Sequence, residues 1–260
     1  MELNLKNKSA LVCGSTQGIG RATAIALANE GARITLIARN EQKLKQVLSK
    51  LPKNAAHDYI VADFSDPQQL KSQVANYLSS NTGFHILVNN TGGPRSGAII
   101  EATLEEFELA FTQHLKCNHV LTQLLTPFMK SEQYGRIINV ISTSVKEPIE
   151  GLGVSNTIRN AVGNWSKTLS FELGGFGITV NNVLPGFTET ERLNEIIDIK
   201  AKKAKVSFEE MEELMKTYTP AKRFAKPEET ANAIVFLASE AASYINGVNI
   251  PVDGGRTKSL

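Results

Sequence analysis

The stretch Ser9–Gly20, SALVCGSTQGIG, joins a short apolar run directly to a turn that contains three glycines. The apolar part shows no alternation of polar and apolar residues, which is typical of a parallel strand buried on both faces. Glycines permit a tight turn and a close approach of the backbone, and the free N–H groups of the helix that follows attract a phosphate. A strand, a turn and a helix in this order therefore predict a site for the pyrophosphate of a dinucleotide. The residues expected to line that site are Gly14, Ser15, Gln17, Gly18, Ile19 and Gly20.

Short apolar runs alternate with amphipathic segments along the rest of the chain. The runs expected to be strands are Ser9–Val12, Arg33–Ala38, Tyr59–Ala62, His85–Asn89, Arg136–Ile141, Thr179–Leu184 and Val248–Pro251. The segments expected to be helices lie near residues 18–30, 40–50, 67–80, 103–130, 152–174 and 227–239. Strands and helices that alternate form right-handed crossovers, so this pattern predicts an α/β fold with a parallel sheet covered on both faces. We expect residues 1–260 to form a single doubly wound, Rossmann-like domain whose seven strands lie in the order 3-2-1-4-5-6-7.

One polar insertion interrupts this alternation. Residues 188–224 are rich in Lys and Glu and lie between a predicted strand and a predicted helix. We interpret them as a helical lid over the substrate rather than as a second domain. Its charged residues Glu189, Glu191 and Arg192 could contact a polar ligand, although solvated charges are the simpler interpretation.

Composition limits the classes of function. The 260 residues include 28 Lys and Arg against 26 Asp and Glu, so the net charge of +2 does not favour binding to nucleic acid or to a membrane surface. No stretch approaches the roughly 20 apolar residues that span a bilayer. Cys13 and Cys117 lack the spacing of a metal site and are too few for a disulfide framework, which favours a cytoplasmic protein without a bound metal.

Several motifs resemble those of the short-chain dehydrogenase/reductase family, and the resemblance covers nearly the whole chain. The glycine turn matches the family's first motif, Asn89–Gly92 (Asn-Asn-Thr-Gly) is similar to its Asn-Asn-Ala-Gly, and Pro185-Gly186 matches its Pro-Gly. Within the family, the chain most resembles bacterial 3-oxoacyl-(acyl carrier protein) reductases. The further residues that the resemblance places at the cofactor are Asp63, Phe64, Asn89, Thr91, Gly92, Arg159, Pro185, Gly186 and Thr188.

The end of the second predicted strand indicates which nicotinamide cofactor binds. An NAD site usually has an acid about 20 residues beyond the glycines, which bonds the ribose 2′-hydroxyl. Here the strand ends in Leu-Ile-Ala-Arg-Asn, with Arg39 and no acid before it. Because arginine can hold a 2′-phosphate with two hydrogen bonds, we favour NADP(H). Glu41 reads better as part of the next helix.

The proton-transfer site departs from the family. The resemblance implies a serine after the fifth strand, a Tyr-x-x-x-Lys pair on the next helix and an asparagine on the helix before. Ser142 matches the serine, but the family spacing places Ser155 at the tyrosine, Arg159 at the lysine and His114 at the asparagine. We therefore interpret the chain as a divergent member that lacks the Tyr-x-x-x-Lys pair.

These replacements suggest altered catalysis. We hypothesise that Ser142 and Ser155 orient a carbonyl, that Arg159 stabilises the oxyanion and that water delivers the proton. His114, a histidine that titrates near neutrality by default, could feed that water. A substitute cation at Lys146 and a substitute phenol at Tyr218 stay open.

Three functions remain in view. The first is an NADP(H)-dependent oxidoreductase acting on a small carbonyl or alcohol, similar to 3-oxoacyl reductases. The second is a nucleotide-binding pseudo-enzyme, and the third is a lyase or isomerase in which Arg159 clamps a carboxylate. The segments near 103–130 and 152–174 are apolar over much of their surface, which suggests self-association into a dimer or a homotetramer.

Overall fold

The computed structural model describes residues 2–53 and 55–259, so Met1, Asn54 and Leu260 of the expected domain lie outside the described residues. The strands are β1 (Ser9–Cys13), β2 (Arg33–Ala38), β3 (Asp58–Val61), β4 (Ile86–Asn89), β5 (Gly135–Val140), β6 (Ile178–Pro185) and β7 (Asn249–Val252). Each bound lies within one residue of the position that the sequence predicted.

All seven strands form one sheet in the order β3-β2-β1-β4-β5-β6-β7, and each neighbouring pair is parallel. The predicted α/β fold, a single Rossmann-like domain, and its strand order are confirmed. Because the order reverses between β1 and β4, the chain leaves a crevice at the carboxyl ends of these two strands. Open sheets of this type bind their ligands in that crevice.

The helices cover both faces of the sheet. They are α1 (Gly18–Asn29), α2 (Glu41–Leu48), α3 (Pro67–Ser80), α4 (Leu104–Phe111), α5 (Cys117–Ser131), α6 (Gly153–Leu173), α7 (Glu191–Ala204), α8 (Phe208–Thr217) and α9 (Pro227–Ala238). The single helix expected at 103–130 is divided by a π-helical turn, Thr112–Lys116, between α4 and α5. A π turn adds one residue to a helix that otherwise continues, so it scarcely changes the apolar pattern and could not be recognised from the sequence.

The sheet separates two hydrophobic cores. Along β1, Ala10 and Val12 pack into the core that contains residues of α1 and α9, whereas Leu11 and Cys13 pack into the core that contains residues of α3 and α5. Successive side chains of a strand point to opposite faces, so a strand with helices on both sides needs apolar residues throughout. All five residues of β1 are buried.

Buried asparagines link the central strands. The side-chain amide of Asn89 donates to Asn139, that of Asn139 to Asn182, and that of Asn182 to Asn249, over distances of 2.8–2.9 Å. These residues are paired in register across β4, β5, β6 and β7. An unpaired buried amide is costly, and the chain of hydrogen bonds offsets most of that cost.

The segment 188–224 folds into α7 and α8, which share a small core of their own. Leu193 and Ile197 of α7 pack there with Met211 and Met215 of α8. A parallel bridge between Thr188 and Ala225 brings the two ends of the segment together. Its function as a lid remains a prediction.

Side chains cap the starts of α3, α4 and α8. Capping boxes are present at Thr103 with Glu106 and at Ser207 with Glu210, and the carboxylate of Asp66 accepts hydrogen bonds from two N–H groups at the start of α3.

Within residues 2–53 and 55–259, no helix combines the length and the apolarity that crossing a bilayer requires.

Candidate active site

The turn between β1 and α1 can be formed only by glycine at two positions. Gly14 has a φ of +57°, and a Cβ there would lie 2.5 Å from the backbone oxygen of Asn90. A Cβ on Gly20 would overlap the backbone oxygen of Gly14. The side-chain amide of Asn90 donates to the carbonyl oxygens of Cys13 and Gly14, at 3.2 and 3.4 Å, and so holds the turn against β4.

The start of α1 is open to an anion. Gln17 is the exposed N-cap residue, and its side chain makes no capping hydrogen bond. The first N–H groups of α1, from Gly18 onward, are therefore left for a ligand at the positive end of the helix dipole. The turn at Gly14 and Gly20 has no room for a side chain, and it lies next to uncapped N–H groups. This arrangement fits the pyrophosphate of a dinucleotide.

The other predicted residues of this turn divide into two groups. Ile19 is partly buried and packs against the core beneath α1. Ser15 is fully buried, and its hydroxyl oxygen accepts a hydrogen bond of 3.1 Å from the backbone N–H of Ile37. The Ser15 side chain thus stabilises the turn against β2, and its role at the cofactor stays a prediction.

Arg39 lies exposed at the carboxyl end of β2 and forms no ion pair within the described residues. Glu41, the nearest acid after it, is occupied elsewhere. Its carboxylate is 2.8 Å from the Lys45 ammonium and accepts a 2.8 Å hydrogen bond from the Tyr59 hydroxyl. The end of β2 therefore offers a cation and no free carboxylate to a ribose.

Asp63 and Phe64 follow β3 at the same edge of the sheet. The carboxylate of Asp63 accepts a hydrogen bond from Ser65 N, and its backbone N–H donates to the side chain of Gln69. The ring of Phe64 is buried in the core beside α3 and α5. Of these two residues, Asp63 therefore presents the more accessible side chain to an adenine.

Asn89 ends β4 within the chain of asparagines described above, and its Oδ1 atom has no hydrogen-bond partner within the described residues. Gly92 is exposed just beyond it. Between them, the Thr91 hydroxyl lies 2.7 Å from Nδ1 of His114. Thr91 and His114 are thus in direct contact.

His114 lies in the π turn and is only 2% exposed. Burial, and then the positive charge of Arg159, lower its pKa well below the usual value. The expectation that His114 titrates near neutrality is therefore wrong, because a buried imidazole beside a cation stays neutral. Its Nε2 atom is buried without a partner in the described residues, so it can bond to a bound molecule.

Two serine hydroxyls lie where β5 and α6 meet. Ser142 follows β5, and its oxygen accepts a 3.1 Å hydrogen bond from Ser144 N, which leaves the hydroxyl proton free to donate. Ser155 lies in the first turn of α6 and is 7% exposed. Within the described chain its hydroxyl makes no hydrogen bond. Both groups can therefore donate to a carbonyl oxygen.

Arg159 lies one helical turn after Ser155, on the same face of α6. Its Nη1 group donates a 2.8 Å hydrogen bond to the carbonyl oxygen of Val140, the last residue of β5. Its Nε is buried and has no partner among the described residues. Burial, and then the charge of Arg192, lower the pKa of Arg159 to about 10, so the guanidinium remains charged at neutral pH.

The end of β6 and the start of α7 form the side of the candidate site opposite the phosphate turn. Gly186 lies against the backbone of Asp253, where a Cβ would approach to 2.7 Å, and it follows Pro185 at the end of β6. Thr188 is buried and donates to the carbonyl oxygen of Gly186. A Cβ on Gly18 would lie 3.0 Å from the methyl group of Thr190, so the start of α7 lies over the phosphate turn.

The contacts of one side chain in the predicted lid were not foreseen from the sequence. Arg192 of α7 was interpreted as a solvated charge, but its Nη2 donates to Pro94 O at 2.6 Å and to Ser96 Oγ at 3.2 Å. It thereby connects the predicted lid to the loop after β4. An arginine in the first turn of a helix, where an acid is favoured, was the one signal available.

Comparison with known proteins decides the family. The profile of the family described as enoyl-(acyl carrier protein) reductase matches residues 14–257. The chain belongs to the short-chain dehydrogenase/reductase family. The resemblance read from the glycine, asparagine and Pro-Gly motifs is thereby confirmed.

Relatives within this family align over nearly the whole chain. The chain is 33% identical over 261 residues to the NADPH-dependent reductase BacG of Bacillus subtilis, with 98% of this chain and 100% of that protein covered. It is 34% identical over 260 residues to the 3-oxoacyl-(acyl-carrier-protein) reductase FabG of Thermotoga maritima, with 97% and 99% covered. The L-sorbose reductase of Gluconobacter frateurii, solved with NADPH and L-sorbose, superposes with a TM-score of 0.93 at 32% identity over 100% of both chains.

The hydroxyls of three of the five tyrosines in this short-chain dehydrogenase/reductase bond to groups other than Ser142, Ser155 and Arg159. The hydroxyls of Tyr59, Tyr77 and Tyr134 are hydrogen-bonded to Glu41, Thr35 and the Ala238 carbonyl oxygen, and Tyr244 is fully exposed. Tyr218 is half-exposed at the end of α8, and Lys146 is partly buried after the turn that follows Ser142.

Among the described residues, no group of three or more His, Cys, Asp or Glu side chains is arranged to hold a metal ion.

Proposed function

We propose that the chain reduces a carbonyl group of a small molecule, through a proton-transfer site in which Ser155 and Arg159 stand at the family's tyrosine and lysine positions. One observation carries the proposal. Arg159 is buried, charged and fixed to the end of β5, two residues before Ser142, with Nε unbonded. A charge in that place needs a negative partner, and a carbonyl that becomes an alkoxide supplies one.

The cofactor is NADP(H). The exposed Arg39 at the end of β2 can bond a 2′-phosphate, whereas the nearest acid is held by Lys45 and Tyr59. The relative BacG is named as an NADPH-dependent reductase, and the L-sorbose reductase was solved with NADPH. Gly14, Gly18 and Gly20 would hold the pyrophosphate, and Pro185, Gly186 and Thr188 would lie beside the nicotinamide.

Each group at the carbonyl has a separate task. When bound, NADPH supplies the hydride that the carbonyl carbon accepts. The hydroxyls of Ser142 and Ser155 donate to the carbonyl oxygen and fix its orientation. Arg159 stabilises the negative charge that develops on that oxygen, and preorganised charge of this kind is commonly the largest catalytic contribution.

The proton has no protein donor of the usual kind. A serine hydroxyl is a far weaker acid than a phenol, and Arg159 keeps its proton at neutral pH. We infer that water protonates the alkoxide. The Ser155 side chain is shorter than a tyrosine and leaves space for that water. His114 is neutral, so its unbonded Nε2 can orient that water but cannot change charge during turnover.

Restoring the family's residues tests this proposal. Ser155→Tyr combined with Arg159→Lys supplies a phenol and the cation that lowers its pKa, so carbonyl reduction should rise by tenfold or more, within the range of about 10²–10⁴ that a positioned acid provides. The measurement is the loss of NADPH absorbance with ketones and oxoacyl thioesters. NADPH binding, followed by fluorescence, is the control for an intact site.

Each outcome has a clear meaning. No gain in rate, with NADPH binding unchanged, contradicts the placement of the proton-transfer site. NADPH binding without turnover of any carbonyl by the wild type favours the nucleotide-binding pseudo-enzyme. Product formation without oxidation of NADPH favours a lyase or an isomerase.

The setting and the assembly are proposed on similar grounds. Cys13 and Cys117 are free and buried, and burial raises the pKa of the Cys117 thiol to about 12, which fits inert thiols in a reducing cytoplasm. Exposed apolar side chains on α4 and α6 fit a dimer or a tetramer.

A further inference from the structure

The catalytic pocket contains a buried cation that has no acidic partner. Arg159 is 8% exposed, and none of the ion pairs among residues 2–53 and 55–259 includes it. The carbonyl oxygen of Val140 satisfies Nη1 but carries no charge to offset the guanidinium. A buried charge that lacks a counter-ion is costly, and proteins retain such groups mainly where a ligand supplies the opposite charge.

A second guanidinium adds positive charge to the same pocket. The loop that holds Arg192 is joined to the start of α6, the helix that carries Arg159, by a parallel bridge between Gly97 and Leu152. In keeping with this placement, the charge of Arg192 lowers the pKa of Arg159. Arg192 is held by Pro94 O and Ser96 Oγ, and a Cβ on Gly93 would lie 3.6 Å from its Nε. That Nε makes no hydrogen bond within the described chain.

The acids near Arg192 do not neutralise the pocket. Glu195 lies 3.1 Å from Nη1 of Arg192, but its side chain is 62% exposed, so water screens the pair. Glu191 is exposed on the first turn of α7. Glu189 is exposed as well, in the residues that lead into α7. The third group at the pocket, His114, is neutral and contributes no charge.

We propose that the substrate carries a free carboxylate close to its reducible carbonyl, and that Arg159 and Arg192 bind this carboxylate. The unbonded Nε of Arg159 and the unbonded Nε of Arg192 are the donors that face it. The inference rests on the proposed function and gives its substrate class: an oxo acid. An acyl thioester differs, because its carbonyl end is uncharged and leaves both guanidinium groups without a counter-ion.

The two charges divide the work. Arg159 lies next to the serine hydroxyls and so interacts with both the carboxylate and the carbonyl oxygen of a bound oxo acid. Arg192 belongs to the predicted lid and already connects α7 to the loop after β4, so a carboxylate held by both guanidinium groups would link α7 to α6 as well. Substrate charge and closure of the pocket are thereby linked.

Binding of matched neutral and charged molecules tests the inference. The probes are 2-oxo-octanoate, octanoate and octanamide, each titrated calorimetrically into the protein saturated with NADP⁺. We expect both carboxylates to bind at least tenfold more tightly than the amide. In Arg192→Gln this preference should fall to about threefold or less, whereas Arg192→Lys should keep most of it, because every 1.4 kcal/mol of lost interaction is about tenfold in affinity.

Lys202→Gln is the matched control. It removes one positive charge from the same helix, but Lys202 is exposed and paired with Asp198. Its preference for carboxylate over amide should equal that of the wild type. The ratio of the affinities for carboxylate and amide also distinguishes the loss of charge from opening of the lid. Loss of the contacts with Pro94 and Ser96 would weaken the binding of both ligands alike and leave that ratio unchanged.

Equal affinity for octanoate and octanamide in the wild type overturns the inference, as does a preference that survives in Arg192→Gln. Absence of measurable binding by both carboxylates overturns it too. Failure of the proposed function has a different signature: the carboxylates bind with the expected preference, yet neither oxo acids nor their methyl esters consume NADPH. If the methyl ester is reduced as fast as the acid, at equal concentration below saturation, the proposed reductase function stands and the proposed carboxylate site is contradicted.

Discussion

At the scale of single residues, the catalytic pocket combines permanent charge with neutral donors. Arg159 stays protonated near neutrality even though burial lowers its pKa to about 10, and the buried imidazole of His114 stays neutral. Neither group changes its protonation state around pH 7. We therefore expect the rate of reduction to depend on electrostatic stabilisation more than on the titration of a protein acid.

Arg39 should decide between the two nicotinamide cofactors. Arg39→Ala removes the charge-assisted hydrogen bonding to the 2′-phosphate, worth about 1.5–3 kcal/mol in total at this exposed position, so the Kd for NADPH should rise roughly 10–150-fold while that for NADH changes little. Fluorescence titration with both cofactors measures the effect. Lys43→Ala, an exposed cation four residues on, serves as the control and should leave both affinities unchanged. An equal loss of affinity for NADH would assign Arg39 a structural role.

His114 should make stability depend on pH. Its pKa is lowered in the folded protein, so below pH 6.5 the unfolded chain binds a proton that the folded chain does not. The free energy of unfolding then falls as the pH decreases from 6.5, by up to about 1.4 kcal/mol per pH unit for one such group. Urea denaturation between pH 5 and pH 8 measures the slope.

The substitution His114→Gln should reduce this slope. His85, whose pKa is also lowered by burial and then by the charge of Lys8, contributes in the same direction and accounts for a remaining part. His85→Gln should therefore remove its own share only. A slope that is the same in His114→Gln as in the wild type would show that His114 is protonated in the folded state.

At the scale of elements, the turn between β1 and α1 combines folding and binding in the same atoms. Gly20 brings the start of α1 against the backbone of Gly14, and the same approach exposes the N–H groups that hold a pyrophosphate. The uncapped start of the helix lacks the stabilisation that an N-cap provides, about 1 kcal/mol. A bound phosphate restores it.

Gly20→Ala should therefore reduce both stability and cofactor binding. The added methyl group overlaps the backbone oxygen of Gly14, and such overpacking costs about 1–3 kcal/mol. Thermal unfolding with and without NADPH should show a lower Tm and a smaller shift on addition of the cofactor. Gly175→Ala is the control, because a Cβ at Gly175 meets nothing within 4 Å. A wild-type shift in Gly20→Ala would contradict the position assigned to the pyrophosphate.

At the scale of the whole molecule, apolar side chains remain exposed on the two helices that border the pocket. Leu104 and Leu109 of α4 are 76% and 49% exposed, and Phe171 of α6 is 75% exposed. Exposed apolar side chains on neighbouring helices can form part of a protein interface, and a stable interface buries about 1,200–2,000 Å² in total. We expect a second copy of the chain to cover it.

Phe171→Glu should weaken the self-association. It places a charge on the exposed part of α6 without touching the pocket, so the species observed by sedimentation velocity should become smaller while NADPH binding persists. Ile199→Glu, on the exposed side of α7, is the control and should leave the assembly intact. A wild-type chain that sediments as a monomer at micromolar concentration would refute the expectation directly.

The sequence by itself determined the strands, most helices, the strand order and the cofactor class. The strands and helices follow from local patterns, because apolar runs, caps and glycine turns act between residues that are close along the chain. The strand order was expected from the doubly wound fold that their alternation indicates. Gly14 and Gly20 are recognisable without a structure, since the turn that they form permits no side chain. The assignment of Ser155, Arg159 and His114 to the family's catalytic positions was made by counting along the chain and stays a prediction.

Only the tertiary structure decided the surroundings of those positions. The contact between Thr91 and His114, the neutral state of that imidazole and the anchoring of Arg159 to β5 join residues from separate elements. The π turn and the position of Arg192 depend on the same packing. A charge or a hydrogen bond acquires its strength from burial and from its neighbours, and both are set when distant segments of the chain meet in the folded protein.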